Sequence, residues 1–251
     1  MIFGKAKGTL RATLYRLLQR NWIRKALILF PFFHRVHSGA HLTHPIDRQY
    51  GIDTSSFFPA DLIAPDPSQA SEINSYLGSS PDLQRRVLSQ LPDVSEHSFV
   101  DLGCGKGRAL AVASEFSFKA IIGVELSSDI CAIARKNAKI IAERHPERRR
   151  IIVHQGDATG FALPDGKLVV FCYNSVRRKL TGDIVRLLER HVTTGADVIF
   201  IYVNPEWAEQ VDASPRFTRW TSLALGDGCA EIGHGLARND LVAQLWRSAP
   251  A

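Results

Sequence analysis

The sequence predicts an α/β fold: a doubly wound, mainly parallel seven-strand sheet with an antiparallel edge strand, preceded by an N-terminal helical extension. Three observations predict it. From about residue 98, short β-branched apolar runs alternate with longer stretches of helical periodicity, the pattern of a parallel sheet covered by helices. The first of those runs ends in a glycine-rich turn, Gly103-Cys104-Gly105-Lys106-Gly107. Before it, the chain has no Asp or Glu until Asp47, while Lys5, Lys7, Arg11, Arg16, Arg20, Arg24, Lys25 and Arg35 make that arm strongly basic.

Residues 1–33 read as one or two basic amphipathic helices, with Leu10, Leu14, Leu17 and Leu18 at one helical spacing and Trp22, Ala26 and Leu29 at another. Residues 34–70, rich in His, Pro, Ser and Asp, read as loop, and 71–91 as helix broken around Gly78-Ser79-Ser80-Pro81. The first strand is expected at 98–102 and the first core helix at 108–116. Residues 120–124 form an almost unbroken apolar strand, as required where both faces are covered. In 128–143, Ile130, Ile133, Ala134, Ala138 and Ile141 fall on one stripe behind Ser127 or Ser128 as the N-cap. Strands at 151–154 and 168–173, a helix at 177–191 and a strand at 198–203 repeat the unit. Residues 216–225 and 241–246 are expected to pair as an antiparallel hairpin at the sheet edge, which completes seven strands. The expected division is an arm and loop over 1–70 and a folded domain over 71–251.

Bulk properties narrow the function classes. At 251 residues, 45% hydrophobic and 22% charged, the chain has the composition of one large globular domain. Its net charge of +6 and pI of 9.3 arise in the arm, and the remainder is nearly balanced. Nucleic acid is not favoured as a partner, because no aromatic-plus-basic platform stands out. The arm is expected to pack on the core with its charges in water; contact with an anionic membrane surface or a partner is the alternative. No apolar run reaches the roughly 18 residues of a membrane span, and no convincing cleavage site follows residues 26–33, so a secreted protein is not expected. Cys104, Cys131, Cys172 and Cys229 are far apart without a CxxC pair and read as reduced thiols of a cytoplasmic protein. His34, His37, His41 and His44 have helical spacing, but Pro31, Gly39 and Pro45 interrupt a helix and no Cys is near, so no metal site is expected.

The glycine turn carries the chemistry. Glycine lets backbone approach a ligand closely, and the helix that follows offers unpaired N–H groups. A pyrophosphate cradle needs GxGxxG, yet counting from Gly103 the sixth position is Arg108, and the third glycine comes one residue early. Asp101 at the head of the motif suits a cationic ligand better than a pyrophosphate. The run Val100-Asp101-Leu102-Gly103-Cys104-Gly105-Lys106-Gly107 resembles the first motif of the class I, Rossmann-like S-adenosylmethionine-dependent methyltransferases, and the resemblance spans about residues 98–205. It implies that S-adenosylmethionine is the cofactor and that Asp101 faces its methionine amino group. Gly103, Cys104, Gly105 and Gly107 would form the turn beneath it, and Glu125 with Leu126 would hold the ribose. Asp157 and Ala158 would receive the adenine.

On the same resemblance, Asn174 ends the fourth strand at the mouth of the site, as a cofactor-side and catalytic position. Related amine and amide methyltransferases have (N/D)PP(Y/F) there; this chain has Asn174-Ser175-Val176 and lacks both prolines, which leaves the acceptor atom open. Tyr76 lies where some relatives place an aromatic residue over the methionine end, and equally suits a core tyrosine. Asn204-Pro205 either lines the substrate side or only ends a strand. The expected activity is methyl transfer to a protein side chain or a small molecule. The alternatives are a nicotinamide-dependent oxidoreductase and a non-catalytic S-adenosylmethionine-binding module.

Overall fold

The computed structural model describes residues 43–56, 58–64, 66–173, 176–224 and 242–249. The basic arm, His34, His37, His41, Asn174 and Cys229 therefore lie outside the described residues. In chain order the helices are α1 (Pro45–Tyr50), α2 (Ala60–Ile63), α3 (Pro67–Ala70), α4 (Pro81–Leu88), α5 (Arg108–Ala113), α6 (Ser128–Arg144), α7 (Arg178–Val192) and α8 (Ala208–Asp212). The strands are β1 (Ser98–Leu102), β2 (Ala120–Glu125), β3 (Ile151–Gln155), β4 (Leu168–Tyr173), β5 (Val198–Val203), β6 (Phe217–Ala224) and β7 (Val242–Ser248).

They form one seven-stranded sheet in the order β3-β2-β1-β4-β5-β7-β6. Strands β1 to β5 are parallel, and β7 runs antiparallel to both β5 and β6. Alternation along each strand builds the two faces. Phe99, Ile121, Phe171 and Ile201 meet Leu83 of α4, Leu110 of α5 and Ala134 and Ile141 of α6. Val100, Leu102, Val170, Phe200 and Trp246 meet Ile184, Val185 and Leu188 of α7 on the other face. The crossover direction reverses between β1 and β4, so a crevice opens there at the carboxyl ends of the strands, where open α/β sheets take their ligands. No helix among the described residues is long and apolar enough to cross a membrane.

The departures from the sequence reading lie mostly before β1. Helix α1 is absent from that reading, yet Ile46, Tyr50 and Ile52 belong to the first core cluster. Of the helix expected over 71–91, only α4 forms, capped by the Ser80 side chain accepting from Leu83 N–H. The preceding stretch makes single antiparallel bridges instead, Ile73 with Val176 and Phe58 with Tyr76. Ser71, Asn74 and Ser75 compete with the backbone for hydrogen bonds and favour such irregular structure over helix. Helix α5 stops at Ala113 rather than 116, and the short α8 follows β5.

Candidate active site

At the end of β1 the chain turns back on itself. The N–H groups of Gly103 and Cys104 both donate to the carbonyl of Val124, at 3.0 and 2.9 Å, and so fasten the turn to β2. Gly105 holds φ at +55°, and a Cβ there would sit 2.2 Å from Cε2 of Tyr76, so only glycine fits beneath that ring. Gly107, at φ +82°, is the N-cap of α5. It packs toward Leu110 and Ala134, behind the turn, and unlike Gly103, Cys104 and Gly105 it does not line the cleft.

The cleft has a volume of 630 Å³, in the range that encloses one nucleoside-sized ligand. Asp101, only 3% exposed, and Glu125, 5% exposed, both line it. Glu125 ties the loops together: Oε2 accepts from Gly105 N–H at 2.9 Å and Oε1 from Ser127 N–H at 2.8 Å. Burial raises its pKa, while the N–H groups of Ser127, Gly105 and Leu126 pull it back. The Asp101 carboxyl is pushed well up by burial and then by the proximity of Glu125, and no described residue donates a hydrogen bond or an ion pair to it. Two carboxyls therefore line one cavity, neither in an ion pair with a described residue, an arrangement that favours a positively charged occupant.

The other expected cofactor positions converge on the same cleft. Leu126, Asp157 and Ala158 line it, held in place by Gly156 N–H donating to the Glu125 carbonyl at 2.9 Å. Asp157 is exposed, and its Oδ1 accepts from the N–H and the hydroxyl of Thr159, both at 2.8 Å. Cys104 is buried beside Gly123, and burial raises its thiol pKa. Tyr76 lines the cleft and also buttresses the loop: its hydroxyl donates to the Thr54 carbonyl at 2.6 Å. Asn174 is not among the described residues, so its expected place at the mouth carries no geometry. Around that mouth stand Phe171, Tyr173, Val176, Lys179, Asp183 and Asn204.

The strap before β1 is the part that sequence reasoning missed. Ile63 and Ile73 pack against Ile130 at the start of α6, together with Leu126 and Leu180, so residues 58–76 roof the cleft. Two side chains from the glycine loop hold the chain just upstream. Lys106 is fully buried and donates to the Ser55 carbonyl at 2.6 Å, Ser56 Oγ at 3.0 Å and Asp53 Oδ1 at 3.1 Å, with Nζ 5.2 Å from the Phe58 ring centroid. Arg108 donates to Thr54 Oγ1 at 2.8 Å and to the carbonyls of Thr54 and Ser79 at 3.0 and 3.3 Å. Beneath them the buried Asp47 accepts from the backbone N–H of Thr54 and Ser55 and from both hydroxyls. The available signal was two cations in the loop, Lys106 and Arg108, and the polar run Asp53-Thr54-Ser55-Ser56 upstream.

Comparison with known proteins agrees with this geometry. A family model described as a methyltransferase domain matches residues 99–195. Among solved structures, a putative methyltransferase, yhhF, from Escherichia coli is 15% identical, covering 70% of this chain and 92% of that one, at a TM-score of 0.50. The cyclase SpnF is 16% identical over 68% of this chain and 81% of its own, at 0.52. At such identities the likeness establishes the fold. No curated protein sequence matches at a significant level.

Proposed function

We propose, from the methyltransferase-domain model that matches residues 99–195 and from the cleft beside it, that this chain moves a methyl group from S-adenosylmethionine to an acceptor bound over β4 and β5. The observation that carries the reading is the pair of buried carboxyls, Asp101 and Glu125, that line the cleft, neither of them in an ion pair with a described residue. S-adenosylmethionine is doubly suited, with an ammonium group for Asp101 and ribose hydroxyls for the remaining lone pairs of Glu125. A pyrophosphate would meet repulsion from both carboxylates, which disfavours a nicotinamide dinucleotide.

When bound, the cofactor supplies a methyl group already activated by its sulfonium charge. The chain's task is then to place a nucleophile in line and to exclude water. Gly103, Cys104 and Gly105 give the cofactor a floor, Leu126, Asp157 and Ala158 flank the adenine, and Tyr76 with the strap forms the roof. Asn174 is assigned to the acceptor mouth. Transfer would release S-adenosylhomocysteine, and the acceptor's proton would pass to solvent water.

The acceptor is a protein side chain or a small molecule. The methyltransferase domain is proposed to span 71–251, after an arm and loop over 1–70 for which contact with a membrane surface or partner is the alternative to packing on the core. The buried cysteines Cys104, Cys131 and Cys172, none of them in a disulfide, suit a cytoplasmic location.

The test is calorimetry with S-adenosylmethionine and S-adenosylhomocysteine, followed by tritiated-methyl transfer into a lysate. Binding of both and label in one fraction is the expected result. Asp101→Ala should abolish the label; persistence of wild-type transfer in that variant would remove Asp101 from its role, and no binding by the folded wild type would end the reading.

A further inference from the structure

We infer that Asn204 is an acceptor-binding residue whose carboxamide oxygen takes a hydrogen bond from the N–H or O–H group that receives the methyl. This rests on the methyl-transfer reading above. Asn204 immediately follows β5, and its backbone sits at φ +50°. That left-handed conformation is uncommon outside glycine, although Asn tolerates it best among the side-chain residues. Pro205 follows directly, and a residue before proline is further restricted toward extended conformations. The position is therefore strained twice over. It is held there because its N–H donates to the Val242 carbonyl of β7 at 2.7 Å.

Strain of this kind persists where surrounding structure imposes it, and it concentrates at functional sites. A strand that merely needed to stop would be served as well by glycine. What asparagine adds is a carboxamide, here half-buried, lining the cleft, and without a hydrogen-bond partner among the described residues. Register fixes which part of the cleft it serves. Tyr173 pairs with Val203, so Asn204 stands one strand beyond β4, on the opposite side of the switch point from Asp101 on β1 and Glu125 on β2. A cofactor anchored by those carboxylates leaves the β4–β5 end for the acceptor. Being neutral, the carboxamide orients the nucleophile and takes no proton.

The test separates side chain from backbone. Asn204→Gly keeps the left-handed turn and deletes the carboxamide; Asn204→Asp keeps a hydrogen-bond acceptor and left-handed tolerance. Each variant is measured for S-adenosylhomocysteine affinity, thermal unfolding and tritiated-methyl transfer from S-adenosylmethionine into a desalted lysate of the source cells. Expected are unchanged cofactor affinity, an unfolding temperature for Asn204→Gly at or above wild type, and label transfer down about tenfold or more. Asn204→Asp should retain more transfer than Asn204→Gly. Wild-type transfer by Asn204→Gly would reduce the residue to a strand terminator, and a parallel fall in cofactor affinity would move it to the cofactor side; either overturns the assignment. So does a wild-type protein that binds S-adenosylhomocysteine yet labels nothing. A wild type that does not bind it fails earlier, at the methyl-transfer reading itself.

Discussion

Gly105 shows how one missing methyl group decides the shape of the cleft. Its α-carbon lies under the Tyr76 ring so closely that a Cβ would overlap Cε2 and Cδ2, at 2.2 and 2.4 Å, and its positive φ adds strain for any side chain. Gly105→Ala must either move the ring, breaking the Tyr76–Thr54 hydrogen bond, or shift the loop whose N–H binds Glu125. The expected outcome is a loss of about 1–3 kcal/mol in stability and a clear weakening of S-adenosylhomocysteine binding, read by thermal unfolding and calorimetry. Removing the ring as well, in Gly105→Ala with Tyr76→Ala, should recover part of the cofactor affinity, because the clash is gone and only the wall is missing. If the double variant is no better than the single one, the ring is not what excludes a side chain at 105. Tyr76 thus lines the cleft and also buttresses the loop through Thr54.

At the scale of elements, the strap and the glycine loop form one unit joined by buried polar contacts rather than by a large apolar face. Asp47 is the centre of that unit, since its carboxylate satisfies four donors from Thr54 and Ser55. Asp47→Ala leaves those donors buried and unmet, and is expected to destabilise the fold by about 3–5 kcal/mol, the range for breaking a buried charged network. Lys106→Met should lower stability by less, about 1–3 kcal/mol, because it also removes the burden of a fully buried ammonium; denaturant unfolding of both variants checks the order. The same elements explain what could be read in advance. Strands β1 to β5 and helices α6 and α7 were legible because burial on both faces leaves unbroken apolar runs and a helical stripe such as Ile130, Ala134 and Ile141. That Asp101, Glu125 and Asp157 line one cleft was legible because each stands at or just after the carboxyl end of one of those runs. The strap was not, since its partners are set by contacts between residues about 50 apart in sequence, such as Lys106 with Ser55 and Arg108 with Thr54, and periodicity carries no record of such pairing. The helix anticipated over 71–77 failed for the same reason: bridges to Val176 and Phe58 override a weak local preference.

For the molecule as a whole, the two cleft carboxyls tie stability, proton binding and ligand binding together. Burial, and then Glu125, raise the Asp101 pKa well above the ordinary value; burial likewise raises that of Glu125. A raised folded-state pKa means that the unligated fold holds more protons than the unfolded chain, from about pH 4 up to the folded-state value. Stability contributed by these groups is therefore present at low pH and is lost as pH rises through that window. A cationic cofactor reverses the balance, because it favours the ionised carboxylates and lowers both pKa values on binding. Binding must then release protons, and affinity must rise with pH over the same window. The measurement is calorimetric titration of S-adenosylmethionine in two buffers of different ionisation enthalpy at several values between about pH 5 and 8, paired with thermal unfolding with and without ligand. Proton release should shrink in Asp101→Asn, which cannot ionise, and the ligand-induced rise in unfolding temperature should grow with pH in the wild type but much less in the variant. An affinity that stays flat across this range, with no proton released, would mean that Asp101 and Glu125 are already ionised in the empty cleft, and that the pull toward a cation comes from charge held permanently there rather than from charge exposed by binding.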